Sequence, residues 1–220
     1  MQARAQIEAR LLKRVDALAA AARRRIRQWI REGVSLEVIL ERVTRLPVTV
    51  ELKKLEDELR LTMEQIYKSE VKSGEAGGQI PFDAIFAKAD LFTPRIRADV
   101  RRQLRGQVLR AIDEGSGVEG LRKHLDEINF GNTMTVANTS IAGFNNVLTI
   151  EQAKQADIDT FRYDGPTGPR TRPFCAARVG KIFTLDELRA MDNGQGLPVE
   201  QYCGGWNCRH FLTAVIGGQQ

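Results

Sequence analysis

The sequence predicts an α+β protein: a predominantly helical region over residues 1–157, followed by a small α+β module over 158–220. Three observations carry this. Apolar residues recur at helical steps through most of the first 155 positions. Near Ile158 that periodicity gives way to short runs bounded by Gly, Pro and Asn, which read as strands and turns. All three cysteines, Cys175, Cys203 and Cys208, fall after this change of texture.

Ile7, Leu11, Val15, Leu18, Ala22, Ile26 and Trp29 form one stripe and predict a long amphipathic helix that Gly33 ends. Ser35 can cap a short second helix carrying Leu36, Ile39, Leu40 and Val43, with Pro47 stopping it. Leu52, Leu55, Leu59, Met63 and Ile66 mark a third. Residues 73–81, rich in Gly, read as a flexible break and a possible hinge. Thr93 and Pro94 then look like the N-cap and first residue of a helix with Ile96, Val100, Leu104 and Val108 inward. Gly115 and Gly117 punctuate it before a short helix over 118–128, whose His124 is expected to be exposed. Residues 133–155 can be helical, with Val136, Ile141, Phe144 and Leu148 buried, although their Asn and Thr content argues against it.

In the C-terminal module, residues 158–163 predict a strand with Phe161 and Tyr163 on one face. Residues 164–173 are turn-rich, and 193–196 form a loop. Thr184 and Glu187 make a capping box at the start of a helix over 184–191. Residues 211–215 close the module as a strand.

Charge is unevenly placed. The net charge of +5 arises from 23 Lys and Arg against 15 Asp and Glu in residues 1–110, and 10 against 13 thereafter. A basic helical half can attract nucleic acid or an acidic partner surface. Arg97, Arg101 and Arg105, at steps of four, with Arg102 beside them, are the candidate contacts to double-stranded DNA. They lack interleaved aromatics, so contact would be to phosphates and weakened by salt. The alternative is a solvated helix face partly offset by Asp99. The cluster Arg23, Arg24, Arg25, Arg27 and Arg31 wraps around its helix instead. No apolar run reaches the ~18 residues of a membrane span, and the N-terminus lacks the apolar core of a secretory signal. Phosphate-loop, dinucleotide and paired-histidine metal motifs are missing from the sequence.

The sharpest constellation is Cys203-Gly204-Gly205-Trp206-Asn207-Cys208-Arg209-His210. Gly204-Gly205 permits a tight, positive-φ turn. If 208–215 is extended, Cys208 and His210 share a face while Arg209 and Phe211 take the other. Cys175, in a rigid loop after Pro173, can reach the same place. Three uses compete: a zinc site with Cys175, Cys203, Cys208 and His210 as ligands, a disulfide between two of the thiols, or buried reduced thiols beside a core histidine. A catalytic Cys208–His210 pair ranks below these, because no acidic residue adjoins it in sequence and no oxyanion device is recognisable.

The ordered set Phe161-Arg162-Tyr163-Asp164-Gly165, Arg170-Thr171-Arg172-Pro173-Phe174-Cys175, Gly180-Lys181-Ile182-Phe183, Asn193-Gly194-Gln195 and Cys203–His210 resembles the C-terminal module of phage minor head proteins, the Mu F-type head morphogenesis family. The resemblance covers about a quarter of the chain. It implies a virion structural protein, not an enzyme, placed in the capsid interior or at the portal vertex after assembly in the host cytoplasm. Its implied partners are the portal and major capsid proteins, in head assembly, genome packaging or ejection, and the arginines add packaged double-stranded DNA as a candidate partner. The matching positions Arg172, Cys175, Lys181, Asn207, Cys208, Arg209 and His210 would hold the module together, arginines bridging loop carbonyls and Cys/His closing a core or a metal.

Overall fold

The computed structural model describes residues 2–45, 49–73, 80–89, 92–128 and 131–216. Within these the chain runs α1 (Gln2–Arg31), α2 (Leu36–Thr44), α3 (Thr49–Ser73), α4 (Phe82–Ala89), α5 (Phe92–Asp113), α6 (Gly117–Asp126), α7 (Gly131–Gln155), β1 (Thr160–Asp164), α8 (Pro173–Ala176), β2 (Ile182–Thr184), α9 (Leu185–Ala190), α10 (Val199–Tyr202) and β3 (Phe211–Ala214). The protein is therefore α+β, mostly helical with a small antiparallel sheet towards its C-terminal end.

Two compact units emerge, Met1–Leu59 with Phe92–Met134, and Arg60–Leu91 with Thr135–Gln220. The compact units are thus drawn differently from the change of texture at 158: the unit that holds the sheet also takes in the second half of α3, α4 and most of α7. Residues 74–79 of the expected break at 73–81 lie outside the described residues, as does Pro47.

In the first unit the periodic apolar positions are the core. Leu11, Val15, Leu18, Ala22 and Ile26 of α1, Ile39 and Val43 of α2, Leu52, Leu55 and Leu59 of α3, and Ile96, Val100, Leu104 and Val108 of α5 are all buried. Helix α5 packs on α2 and α6, and α1 on α6. Gly33 takes φ +73° where α1 ends, and the Ser35 side chain accepts the Val38 N–H at the start of α2. Helix α5 starts at Phe92, one residue before the expected cap. Pro94 is tolerated there because first-turn N–H groups have no intrahelical partner.

His124 corrects the sequence reading, since it is buried. Gly120, Leu121, His124 and Leu125 form the inward stripe of α6, so spacing carries the imidazole into the unit despite polar neighbours. Its Nε2 meets Glu114 Oε2 at 2.9 Å.

The second unit adds elements the sequence pattern did not disclose. Helix α4 places Ile85 and Ala89 inward, and Phe82 stacks edge-on to Tyr67 and tilted against Phe144, with centroids 5.7 and 5.8 Å apart. Helix α7 forms despite its Asn and Thr residues, and buries Val136, Phe144, Val147, Leu148 and Ile150, with Ile141 half-buried. The sheet has order β2-β1-β3, both pairings antiparallel. Phe161 lies opposite Phe183, and Tyr163 opposite Leu212. Phe161 and Tyr163 are fully buried on one face, as their alternation predicts. The capping box at Thr184 and Glu187 is present in both directions.

Candidate metal centre

Central strand β1 fixes one wall of the site. Tyr163 points into a core formed with Ile150, Ala153, Leu185, Leu188, Val199, Leu212 and the three cysteines. After β1 the chain loops through 165–172 and enters the single turn α8 at Pro173, which delivers Cys175 inward. The return comes from α10. Its C-cap, Cys203, takes φ +49°, Gly205 φ +90° and Asn207 φ +56°. The expected turn is therefore built, but positive φ falls on Cys203 and Asn207 as well as on one glycine.

Gly204 is needed for a different reason. A Cβ there would lie 2.2 Å from Cys175 Sγ and 3.1 Å from Cys208 Sγ. Only a residue without a side chain lets the backbone pass so close to both sulfurs. Gly165 plays the same part for His210, whose Cδ2 would be 2.6 Å from an added Cβ.

Three of the four expected ligands converge. Cys175 Sγ is 3.8 Å from Cys208 Sγ, Cys208 Sγ is 3.4 Å from His210 Nδ1, and ligand atoms of the three residues all lie within 4.8 Å of one another. With zinc–sulfur bonds of about 2.3 Å and zinc–nitrogen of about 2.0 Å, a tetrahedral angle sets sulfurs about 3.8 Å apart and sulfur from nitrogen about 3.5 Å. The two separations thus fit a tetrahedral dication, and the buried group Cys175, Cys208 and His210 can hold a metal ion. Cys203 is not part of this group. Its sulfur accepts instead from Asn146 Nδ2 of α7 at 3.6 Å. All three thiols are free, with no disulfide.

The surroundings are built to support the sulfurs. The Gly204 N–H donates to Cys208 Sγ at 3.3 Å, and the Tyr163 hydroxyl to Cys175 Sγ at 3.4 Å. Burial pushes the Cys175 and Cys203 thiols and the Tyr163 phenol above their ordinary values. Burial also lowers the pKa of His210, a shift that the nearby Pro166 carbonyl opposes without a well-directed hydrogen bond. Cys208 and His210 are close enough for a thiol–imidazole pair, but no carboxylate contacts His210 among the described residues.

Arg172 behaves as the resemblance implies for a bridging arginine. Its Nη1 donates to the Gly204 carbonyl at 3.0 Å and its Nη2 to the Trp206 carbonyl at 2.7 Å, tying the first loop to the return. Asn207 is exposed, and its backbone N–H donates to Thr139 Oγ1 at 2.9 Å. Arg209 and Lys181 are exposed.

Sequence reasoning missed Asn146, which is almost fully buried in α7. It donates to the Gln201 carbonyl at 2.8 Å and accepts from the Leu212 N–H at 3.0 Å, holding α10 and β3 on one side chain. Asn193 had a place in the loop and in the resemblance but no assigned role; its side chain bridges the Leu197 and Cys203 carbonyls at 2.8 and 3.0 Å.

In the first unit the arginines divide. Arg102 pairs with the buried Asp99, which also accepts from Gln103 Nε2 at 2.7 Å. Arg101 and Arg105 are exposed and form no ion pair among the described residues; the Arg97 side chain lies outside the description. Within the other cluster Arg23 donates to the Leu125 and Ile128 carbonyls at the end of α6, and Arg27 pairs with Asp126 at 2.5 Å. No helix of the described residues is long and apolar enough to cross a membrane. Comparison of the chain with protein-family models, with curated proteins and with solved structures finds no match.

Proposed function

We propose that this chain is a phage minor head protein, a virion structural component that meets the portal or capsid interior, and that its C-terminal unit is closed by a structural zinc held by Cys175, Cys208 and His210. One observation supports the reading above others. The inward residues that carry the family resemblance are spent on joining chain segments: Arg172 clamps the 204–206 turn, and Cys175, Cys208 and His210 gather α8, the turn after α10 and the segment that leads into β3. These contacts support a role in architecture.

Heads assembled in cells that express a tagged form of the chain with the portal and major capsid proteins of the same genome test the assembly role. A few copies per head, labelled at the portal vertex, are expected; heads without the chain overturn it. Metal analysis of protein purified under reducing conditions tests the zinc. About one ion per chain is expected, and its absence retires the metal.

A DNA-binding packaging accessory is the second reading, favoured by Arg101 and Arg105 standing exposed on α5 without ion-pair partners. Retention on double-stranded DNA that falls steeply with salt would support it. No retention at low salt would exclude it.

A further inference from the structure

The three metal-ligating side chains do not close a coordination sphere by themselves. A tetrahedral ion needs a fourth donor, and the only other thiol, Cys203, is engaged by Asn146 outside the group. The three ligands instead line a cavity of about 380 Å³ with Pro166, Arg170, Arg172, Asn207 and Arg209. That volume suits a small ligand.

The charge on this cavity has one sign. No carboxylate lines it, while three arginines do. Arg172 is committed to two carbonyls, but Arg170 and Arg209 are exposed and form no ion pair among the described residues. A dication neutralised by two thiolates adds no net charge, so the surplus belongs to the arginines. His210 lines the same cavity, its Nε2 buried and only the Pro166 carbonyl beside the ring, without a well-directed hydrogen bond. A metal-bound imidazole usually donates its other N–H to an acceptor.

Resting on the metal reading above, we infer that the fourth coordination position opens into this cavity and takes an anionic oxygen ligand, a carboxylate or a phosphate monoester, steered by Arg170 and Arg209. In an assembled particle the site would receive such a group from outside the chain, which makes the module a receptor for an acidic ligand as well as a closed fold.

The test uses the full-length protein loaded with cobalt(II) in place of zinc, whose visible bands report the coordination sphere directly. Titration with acetate and, separately, with methyl phosphate should each shift the bands saturably. The anion that saturates at lower concentration identifies the ligand class. The double variant Arg170→Ala/Arg209→Ala should bind cobalt as the wild type does, yet need at least tenfold more anion for the same shift. Two results overturn the inference and differ from each other. Cobalt bound one to one, with bands indifferent to both anions, means the fourth position is closed from within; Cys203→Ser would then alter the bands. No stoichiometric cobalt binding at all removes the metal reading, and this inference with it.

Discussion

The two compact units solve the problem of cohesion differently. The first is held by apolar stripes repeated along α1, α2, α3 and α5, where burial of each Leu, Ile or Val contributes about 1.5–3 kcal/mol. The segment after 158 in the second unit has short elements, strands of three to five residues and helical turns of four to six. Their periodicity specifies only part of a core, through the alternation of Phe161 and Tyr163, and fixed polar and sulfur contacts add to the apolar packing: Arg172 on two carbonyls, Asn146 on α10 and β3, and Gly204 beneath two thiols. Apolar packing tolerates exchange of shape at similar volume. A hydrogen-bonded turn against sulfurs leaves far less room.

The largest expected effect probes the first unit. Leu104→Ala removes a fully buried side chain from α5, and should cost about 2–5 kcal/mol in denaturant unfolding. Leu104→Met at the same site should cost less than about 1.5 kcal/mol; an equal loss for both would show that the helical core is as shape-specific as the module.

Next comes Gly204→Ala, which adds a single carbon. It should destabilise by about 1–3 kcal/mol, because the new methyl meets Cys175 Sγ and Cys208 Sγ. Combining it with Cys175→Ala should return part of that loss, a coupling that a double-mutant cycle measures. Additive costs would mean the close approach is not what Gly204 is for.

Thr184→Ala removes the capping box of α9 and should cost about 1 kcal/mol. Protection of the first α9 amides in hydrogen exchange should fall with it. The smallest effect concerns Asp164, whose carboxyl the Arg162 guanidinium holds below the usual carboxylate range, with help from the Thr213 hydroxyl. The folded pKa lies under the unfolded one, so this contribution is complete above the unfolded value of about 3.9 and is lost as pH falls through the folded value. Arg162 is well exposed, so solvent screening keeps the contribution of the pair small. Asp164→Asn should flatten the acid limb of the stability profile slightly; an unchanged limb would show the pair contributes nothing.

Residue by residue, legibility followed the length of each element. The stripe of α1, the cap at Ser35, the alternation of Phe161 and Tyr163 and the capping box at Thr184 were all readable, since each signal lies within a few residues of its effect. Helix α4 was not, being eight residues long and next to the Gly-rich stretch. The three-residue strand β2 was also hidden, because it exists only by pairing with β1. His124 was misjudged because its polar neighbours obscured the inward stripe of α6.

What the sequence determined alone was local: the helical character of most of the chain, the change of texture near 158, and the closeness of Cys208 to His210, with Cys175 and Cys203 only as candidates to join them. Tertiary structure decided which of them met. It set Cys203 apart against Asn146 of α7, more than fifty positions earlier, and left the arginine-lined cavity over the remaining three. The reason is physical. Periodicity and turn chemistry act over a few residues, whereas a hydrogen bond from a buried asparagine, or a missing Cβ beneath two sulfurs, depends on segments that meet only when the chain has folded.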